Sequence, residues 1–487
     1  MSTDTHSPDE HHTLRANAVS LAGDWVASVA CVAPSSTVAF TLALLLLFAG
    51  LASPLAVVVA GVGMLLVAVG YSRLNNWKPH AGAPYIWVGQ AVHPMLGFAT
   101  GILAILAATV ANIGNITLAG TYLLGIISPG HTFPKVLVWL LSTAVMALVV
   151  YVAIRGIRPS IVVQTAIIVF EYSIVILFVI LALVHEIVTK AAGTHAPSLA
   201  AFSVHTSPTG FSGLANAAVI CGFLYAGWEA PLVLGEESTK PHFNPGRAAI
   251  LGLVFLTLWY TFLIITFQGV ASPATILTQK TDVLTYAGQV LLHGWGRLLS
   301  VAVFSAVFGT TQMQLVESTR VTFAMARDKL FAPAIARIHP AFRTPWVASL
   351  LLGVIPPLAL IPYLASAGAT TAIGYIISAD GLLYLLMYFI IAAACVWYYR
   401  QYLRTNSRNL LVSGILPLIG ALFNLLVFVY GMIKQAHQVS IVAGVLVALC
   451  VVWAVTARFI SRAPYFTQKT VAHPPSAMPV SEQEPAA

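Results

Sequence analysis

The stretch LAGDWVASVACVAPSSTVAFTLALLLLFAG, residues 21–50, carries a single charged side chain, Asp24, and a proline near its middle. As one continuous helix it would be about 45 Å long, well beyond the roughly 30 Å hydrocarbon core of a bilayer. Its centre reads Ala33-Pro34-Ser35-Ser36-Thr37. Proline removes a backbone donor and clashes with the preceding turn, and Ser and Thr favour helix caps over interiors. The pattern predicts a helix broken near Pro34, with a second half-helix starting at about Ser35. Gly222-Phe223-Leu224-Tyr225-Ala226-Gly227-Trp228-Glu229-Ala230-Pro231 repeats the theme, with two glycines, a proline and a carboxylate inside another apolar segment. For either segment alone, a proline kink packed against neighbours is the competing reading.

The chain around these two segments is of the same character. Of its 487 residues 59% are hydrophobic and 8% are Asp, Glu, Lys or Arg, against roughly 25% charged in a soluble domain. A soluble fold of this length would lack the polar residues to cover its surface. About twelve runs are long and apolar enough to span a bilayer: 21–50, 54–72, 93–125, 135–154, 161–184, 212–236, 248–270, 286–314, 345–364, 371–398, 410–432 and 439–460. The expected fold class is therefore an all-α integral membrane protein, with a transmembrane domain over 21–460 between polar tails at 1–20 and 461–487. An even span count puts both tails on one side, and 18 of the 23 Lys and Arg residues fall there; the other five are Lys135, Lys190, Lys280, Arg297 and Lys434. Positive charge accumulates on the cytoplasmic side, so both termini are expected in the cytoplasm, at the plasma (bacterial inner) membrane. Trp77, Trp87, Trp346 and Trp397-Tyr398-Tyr399-Arg400 sit at the expected interfaces, where aromatic rings anchor. Asp4, Asp9 and Glu10 make the first residues unlike a cationic leader, so no cleaved signal is expected.

Other classes find little support. The net charge of +8 is scattered singly between apolar runs rather than clustered on one face, which argues against nucleic acid as a partner. Cys31, Cys221, Cys395 and Cys450 show no CxxC spacing, so they read as buried small hydrophobes and not as a disulfide framework or zinc site. The histidines form no ligand motif and no phosphate-cradling loop is present. No metal, cofactor or ATP-driven pump is expected, and no enzyme. Asn115-Ile116-Thr117 lies within a span and is no glycosylation site, and Gly97-x-x-x-Gly101 reads as close helix packing.

The two interrupted segments occupy the first and sixth spans, which run in opposite directions. Helices 1–5 and 6–10, about residues 21–190 and 212–398, are thus expected to be inverted copies, with helices 11 and 12 added; this rests on topology, since the halves share no obvious residue-level identity. Paired broken helices at corresponding places point to a transporter's midplane site. Free N–H groups at a half-helix start suit a carboxylate, and unwound carbonyls opposite suit an ammonium group, so an amino acid fits both poles. Ser35, Ser36 and Thr37 are the expected carboxylate end, with Phe223, Tyr225, Ala226, Gly227, Trp228 and Glu229 shaping the other. The function expected is a secondary active transporter of amino acids working by alternating access. An amine or polyamine carrier is the alternative, because Glu229 offers a fixed negative charge that a zwitterion does not require. A membrane enzyme or channel is the remote one.

Further motifs carry a resemblance. Ser318-Thr319-Arg320, Phe323-Ala324-Met325-Ala326-Arg327-Asp328, Pro333, His339-Pro340 and Arg343-Thr344-Pro345-Trp346 follow one another after helix 8. Gly227-Trp228-Glu229 precedes Gly235-Glu236-Glu237 and Pro245-Gly246-Arg247-Ala248-Ala249, and Asn76 leads through His80-Ala81-Gly82-Ala83-Pro84-Tyr85. In order and spacing these resemble the amino acid-polyamine-organocation superfamily of secondary transporters, bacterial amino acid permeases among them, over roughly residues 20–460. The resemblance implies a LeuT-type fold with helices 1 and 6 broken. Helix 1 departs from the Gly-Ser-Gly type break of many members. Arg320, Arg327 and Asp328, expected in the inner loop after helix 8, read as an inner gate or scaffold.

Carboxylates within spans are costly and therefore functional candidates. Glu171, Glu229 and Asp380 qualify. Glu229 is expected to face the ligand or carry a proton, or else to cap donors freed by the break. Glu171 lies on helix 5, where some proton-coupled relatives have a lysine; it reads as a proton carrier or a structural hydrogen-bonding group. Asp380 reads as a gate or solvent-facing residue or as structural, and Asp24 as interfacial. Asn112 and Asn115 on helix 3 line a cavity or bond between helices, the latter being the commoner use. Coupling is expected to protons or to a counter-substrate, with Ser305, Thr310 and Thr311 as possible sodium ligands in the competing scheme.

Overall fold

The computed structural model describes residues 13–128, 131, 133–190, 193–278, 283–365, 369–460 and 463–468. Residues 1–12 of the first tail, most of the second and Lys280 lie outside these. In chain order the helices are α1 (Leu21–Val32), α2 (Pro34–Ala49), α3 (Ser53–Trp77), α4 (Ala83–Ala91), α5 (Pro94–Ile127), α6 (Lys135–Arg155), α7 (Ile157–Leu183), α8 (Phe211–Leu224), α9 (Ala230–Val233), α10 (Asn244–Phe267), α11 (Pro273–Thr278), α12 (Val283–Leu292), α13 (Arg297–Arg327), α14 (Trp346–Ala359), α15 (Ile361–Ala365), α16 (Ala369–Tyr399), α17 (Ser407–Leu410), α18 (Leu416–Lys434) and α19 (His437–Ile460). No strand occurs among the described residues; one isolated bridge joins Val19 to Ser238.

Nine helical stretches among the described residues are long and apolar enough to cross a membrane. One of them, Leu21–Trp77, takes in the first two expected spans, while α8 and α14, at the places of the sixth and ninth, are apolar but shorter. Both interruptions fall where the residues predicted. Ser20 caps α1 by accepting from the Gly23 N–H at 3.3 Å, and α1 stops at Ala33, whose φ of 49° is left-handed. That conformation costs a non-glycine residue roughly 1–2 kcal/mol. Pro34 then opens α2 at a position where its missing N–H is no loss. The second helix ends at Leu224, turns through residues 225–229 with Gly227 at φ 101°, and resumes as α9.

The core helix α13 packs against α5, α6, α7, α1 and α14, while α3 packs against α10, α8 and α18. Outward faces are apolar: Val162, Val169 and Ile180 on α7, Leu422, Leu426 and Ile433 on α18, and Leu449, Val452 and Phe459 on α19 are exposed. So much exposed apolar surface suits lipid rather than water. Gly97 brings α5 so close to α4 that a Cβ there would lie 2.3 Å from the Gly89 backbone, as the GxxxG spacing suggested. All four cysteines are free and buried.

Two placements differ from the expectation. Residues 315–327 belong to α13 and not to a loop, and Leu315 through Ala326 are buried. Hydropathy ends the span near residue 314 because Gln312, Gln314, Glu317 and Arg320 count as water-loving, yet neighbouring helices enclose them. Asp24 is fully buried and not interfacial, its two carboxylate oxygens accepting from the Ser238 hydroxyl at 2.9 and 3.0 Å.

Candidate functional site

The two breaks meet in the middle of the bundle. A Cβ on Gly227 would lie 2.8 Å from the Cys31 sulfur and 3.2 Å from its carbonyl oxygen, so the turn after α8 presses its backbone against the end of α1. Beside this contact lies a narrow cavity of about 10 Å³, room for about one water molecule. Cys31, Val32 and Thr37 line it from the first break, Phe223 and Ala226 from the second, Asn115 from α5, and Thr310 and Gln314 from α13.

The polar backbone groups that the breaks release find partners. Ser28 donates to the Trp228 carbonyl at 2.8 Å, and the Thr310 hydroxyl donates to that of Cys31. The Tyr260 hydroxyl on α10 donates to the Leu224 carbonyl at 2.8 Å and lies 2.6 Å from the Thr37 hydroxyl, tying one break to the other. At the start of α2 the Ser35 N–H and hydroxyl donate to Glu171 of α7, at 3.2 and 2.5 Å. A carboxylate from within the protein thus sits at the positive end of this half-helix, as its dipole and free N–H favour. Ser36 and Thr37 bond back to the Ala33 carbonyl.

Of the residues expected at the site, Thr37, Phe223 and Ala226 line the cavity and Gly227 packs behind it. Tyr225 points away, donating to the Val57 carbonyl at 3.0 Å. Trp228 is buried against Tyr71 and Tyr388, with ring centres 5.0 and 5.4 Å away. Glu229 accepts from the Tyr388 hydroxyl at 2.7 Å, and its other oxygen has no partner in the protein. Asp380 is fully buried, which removes the solvent-facing reading. Asn115 both lines the cavity and donates to Gln314 at 3.1 Å. Ser305 and Thr311 bond to carbonyls of their own helix. Nothing in the sequence singles out Glu317, because hydropathy scores its stretch as a loop; it is buried on α13 and its Oε2 lies 3.8 Å from the Cys31 sulfur. Tyr260 escaped because nothing local distinguishes a tyrosine in an apolar helix.

At one end of the bundle a second set of contacts closes the structure. Arg320, fully buried, donates to both oxygens of Glu237 at 3.1 and 3.3 Å. Arg327 makes a bidentate pair with Glu236 at 2.7 and 2.9 Å, and Tyr85 donates to Asp328. Ala18 and Val19 donate backbone N–H groups to the Glu237 carbonyl at 2.7 and 3.0 Å, so the segment before α1 is fastened to the one after α9. His80, 3.8 Å from Glu236, is pushed down to about 4 by burial, a shift that Glu236 opposes and the nearby Arg327 guanidinium reinforces. At neutral pH the contact is therefore a neutral ring beside a carboxylate and not an ion pair.

An all-helical, multi-pass membrane protein with two interrupted helices facing one internal cavity is built to hold a small solute out of contact with lipid. A family model described as amino acid permease matches residues 24–456, and this chain belongs to that family. It is similar to the branched-chain amino acid permease BcaP of Bacillus subtilis (strain 168), at 26% identity over 65% of this chain and 70% of that one. It is also similar to the low-affinity putrescine importer PlaP of Escherichia coli (strain K12), at 25% identity over 63% of this chain and 66% of that one. The fold resembles that of the Eremococcus coleocola manganese transporter, with a TM-score of 0.60 at 13% identity over 90% of this chain and 94% of that one. The chain is thus a membrane transport protein for small molecules and not an enzyme.

Proposed function

We propose that this protein moves amino acids across the plasma membrane by alternating access, with residues 21–190 and 212–398 forming two inverted repeats. The observation that carries this reading is the cavity lined by residues of both helix breaks. Arg297 opens α13 and Arg327 ends it, and in the expected topology 18 of the 23 Lys and Arg residues fall on the side of the tails, which supports cytoplasmic termini. Arg320, Arg327 and Asp328 then act as an inner scaffold that opens for release. Glu171 is the favoured proton carrier, because it is a buried carboxylate of α7 that accepts hydrogen bonds from Ser35 at the start of the half-helix α2; exchange against an internal substrate is the other mode. Uptake into proteoliposomes under an imposed pH gradient, with and without sodium, tests this. Accumulation driven by the pH gradient and lost in Glu171→Gln supports proton coupling through Glu171. Uptake that follows sodium alone overturns the proton assignment. Accumulation that needs internal substrate makes the protein an exchanger and Glu171 structural.

A further inference from the structure

Residues 339–346 stand out in the sequence, and the transport reading gives them no task. His339 fixes the shape of this turn between α13 and α14. Its Nδ1 accepts from the Ala341 and Phe342 N–H groups at 3.2 and 3.3 Å, and its carbonyl accepts from the Arg343 N–H at 2.9 Å. Its ring stacks on that of Phe342, with centres 4.5 Å apart. Arg343 is held at a left-handed φ of 53°, a conformation that persists only where the surroundings over-determine it and that gathers at ligand sites. The Thr344 hydroxyl donates to the Ile154 carbonyl at 2.7 Å, which fastens the turn to the end of α6.

A cavity of about 240 Å³ opens against this turn, lined by Arg15, Ala341, Phe342 and Arg343. Two more arginines stand at its edge: the Arg155 guanidinium lies 5.0 Å from the centre of the Phe342 ring, and Arg158 donates to the Asn17 carbonyl at 3.5 Å. The stretches that meet here, residues 13–20, 151–165 and 337–350, contain five arginines and no Asp or Glu. Arginine forks match the oxygens of a phosphate, so the charge and the space together suit a phosphate group. The surface beside the cavity is apolar and outward-facing. Tyr151 lies one turn from Arg155 on α6, Val162 one turn from Arg158 on α7, and Leu351 further along α14, all three exposed. A basic pocket between helix ends, bordered by lipid-facing side chains, has the form of a site for an anionic lipid headgroup. We infer that Arg15, Arg155, Arg158 and Arg343 bind the phosphate of an anionic phospholipid whose acyl chains lie along α6, α7 and α14. The headgroup then bridges the segment before α1 to the turn before α14, two parts of the chain that alternating access would move.

The test is native mass spectrometry of the detergent-purified full chain titrated with phosphatidylglycerol, phosphatidylcholine, glycerol 3-phosphate or inorganic phosphate, with the thermal unfolding temperature followed in parallel. Phosphatidylglycerol is expected to stay bound and to raise the unfolding temperature, and phosphatidylcholine to do neither. The double variant Arg15→Gln, Arg343→Gln should weaken phosphatidylglycerol binding by about 10-fold or more, the size expected for two bases near a headgroup. Arg404→Gln with Arg408→Gln removes the same charge from two exposed positions between α16 and α18 and should leave binding as it is. An equal loss in both double variants overturns the site, because general surface charge then explains the binding. Equal retention of the two lipids overturns it as well, and that comparison needs only the unmodified protein should a variant fail to fold. If inorganic phosphate or glycerol 3-phosphate binds as tightly as phosphatidylglycerol, the ligand is a soluble phosphate and the lipid assignment is wrong. Each of these outcomes leaves the transport reading untouched, since none measures uptake.

Discussion

Gly227 shows at the scale of one residue how the breaks depend on each other. Its φ of 101° is open to glycine and strained for other residues, and its missing side chain is what admits Cys31. Gly227→Leu is expected to block uptake while the protein still enters the membrane and elutes as a folded species. Normal transport by that variant would remove the premise that the two breaks meet at the site. Ser35 teaches a different lesson. Its donors were legible in the sequence as a place for a carboxylate, and a carboxylate is there, but it is Glu171 from another helix. The local chemistry was readable; the partner, 136 residues away in the chain, was not.

Among elements, the join between the end of α13 and the segment after α9 decides how firmly one end of the bundle is held. Removing one partner of a buried ion pair costs about 3–5 kcal/mol, because the other charge stays behind. Arg320→Gln is therefore expected to lower the thermal unfolding temperature in detergent, and adding Glu237→Gln to recover much of the loss. A double variant no more stable than the single would show that the pair is not the source. His80, between α3 and α4, adds a pH term. Burial holds it neutral in the fold to about 4, against 6.5 when free, so the unfolded chain takes up the proton first. Its contribution is fully present above pH 6.5 and is lost as the pH falls from 6.5 towards 4. Unfolding temperatures measured over that range should fall less steeply in His80→Gln than in the unmodified protein; parallel curves would count against the assignment.

Across the whole molecule, buried acidity dominates the interior. Asp24, Glu171, Glu186, Glu229, Glu237, Glu317 and Asp380 are buried, against Arg320 alone among described Lys and Arg residues, although the chain as a whole carries a net charge of +8. The basic residues lie mostly towards the ends of the bundle, where they meet headgroups and water, and the acids face its interior. Bulk composition therefore gave the sign of the surface and hid that of the core.

The sequence by itself determined the class and both interruptions. These follow from local rules: hydropathy over a bilayer's thickness, proline's missing N–H and glycine's freedom at positive φ. The tertiary structure decided which polar groups pair. Glu317 and Arg320 sit in a stretch that hydropathy scores as a loop, and only the surrounding helices make it interior. Tyr260 joins the two breaks, and Tyr388 finds Glu229, across gaps in the chain that no spacing rule spans. Inside a membrane protein a polar group must find its partner within the protein, and a partner on another helix is fixed by packing geometry, which is a property of the assembled bundle.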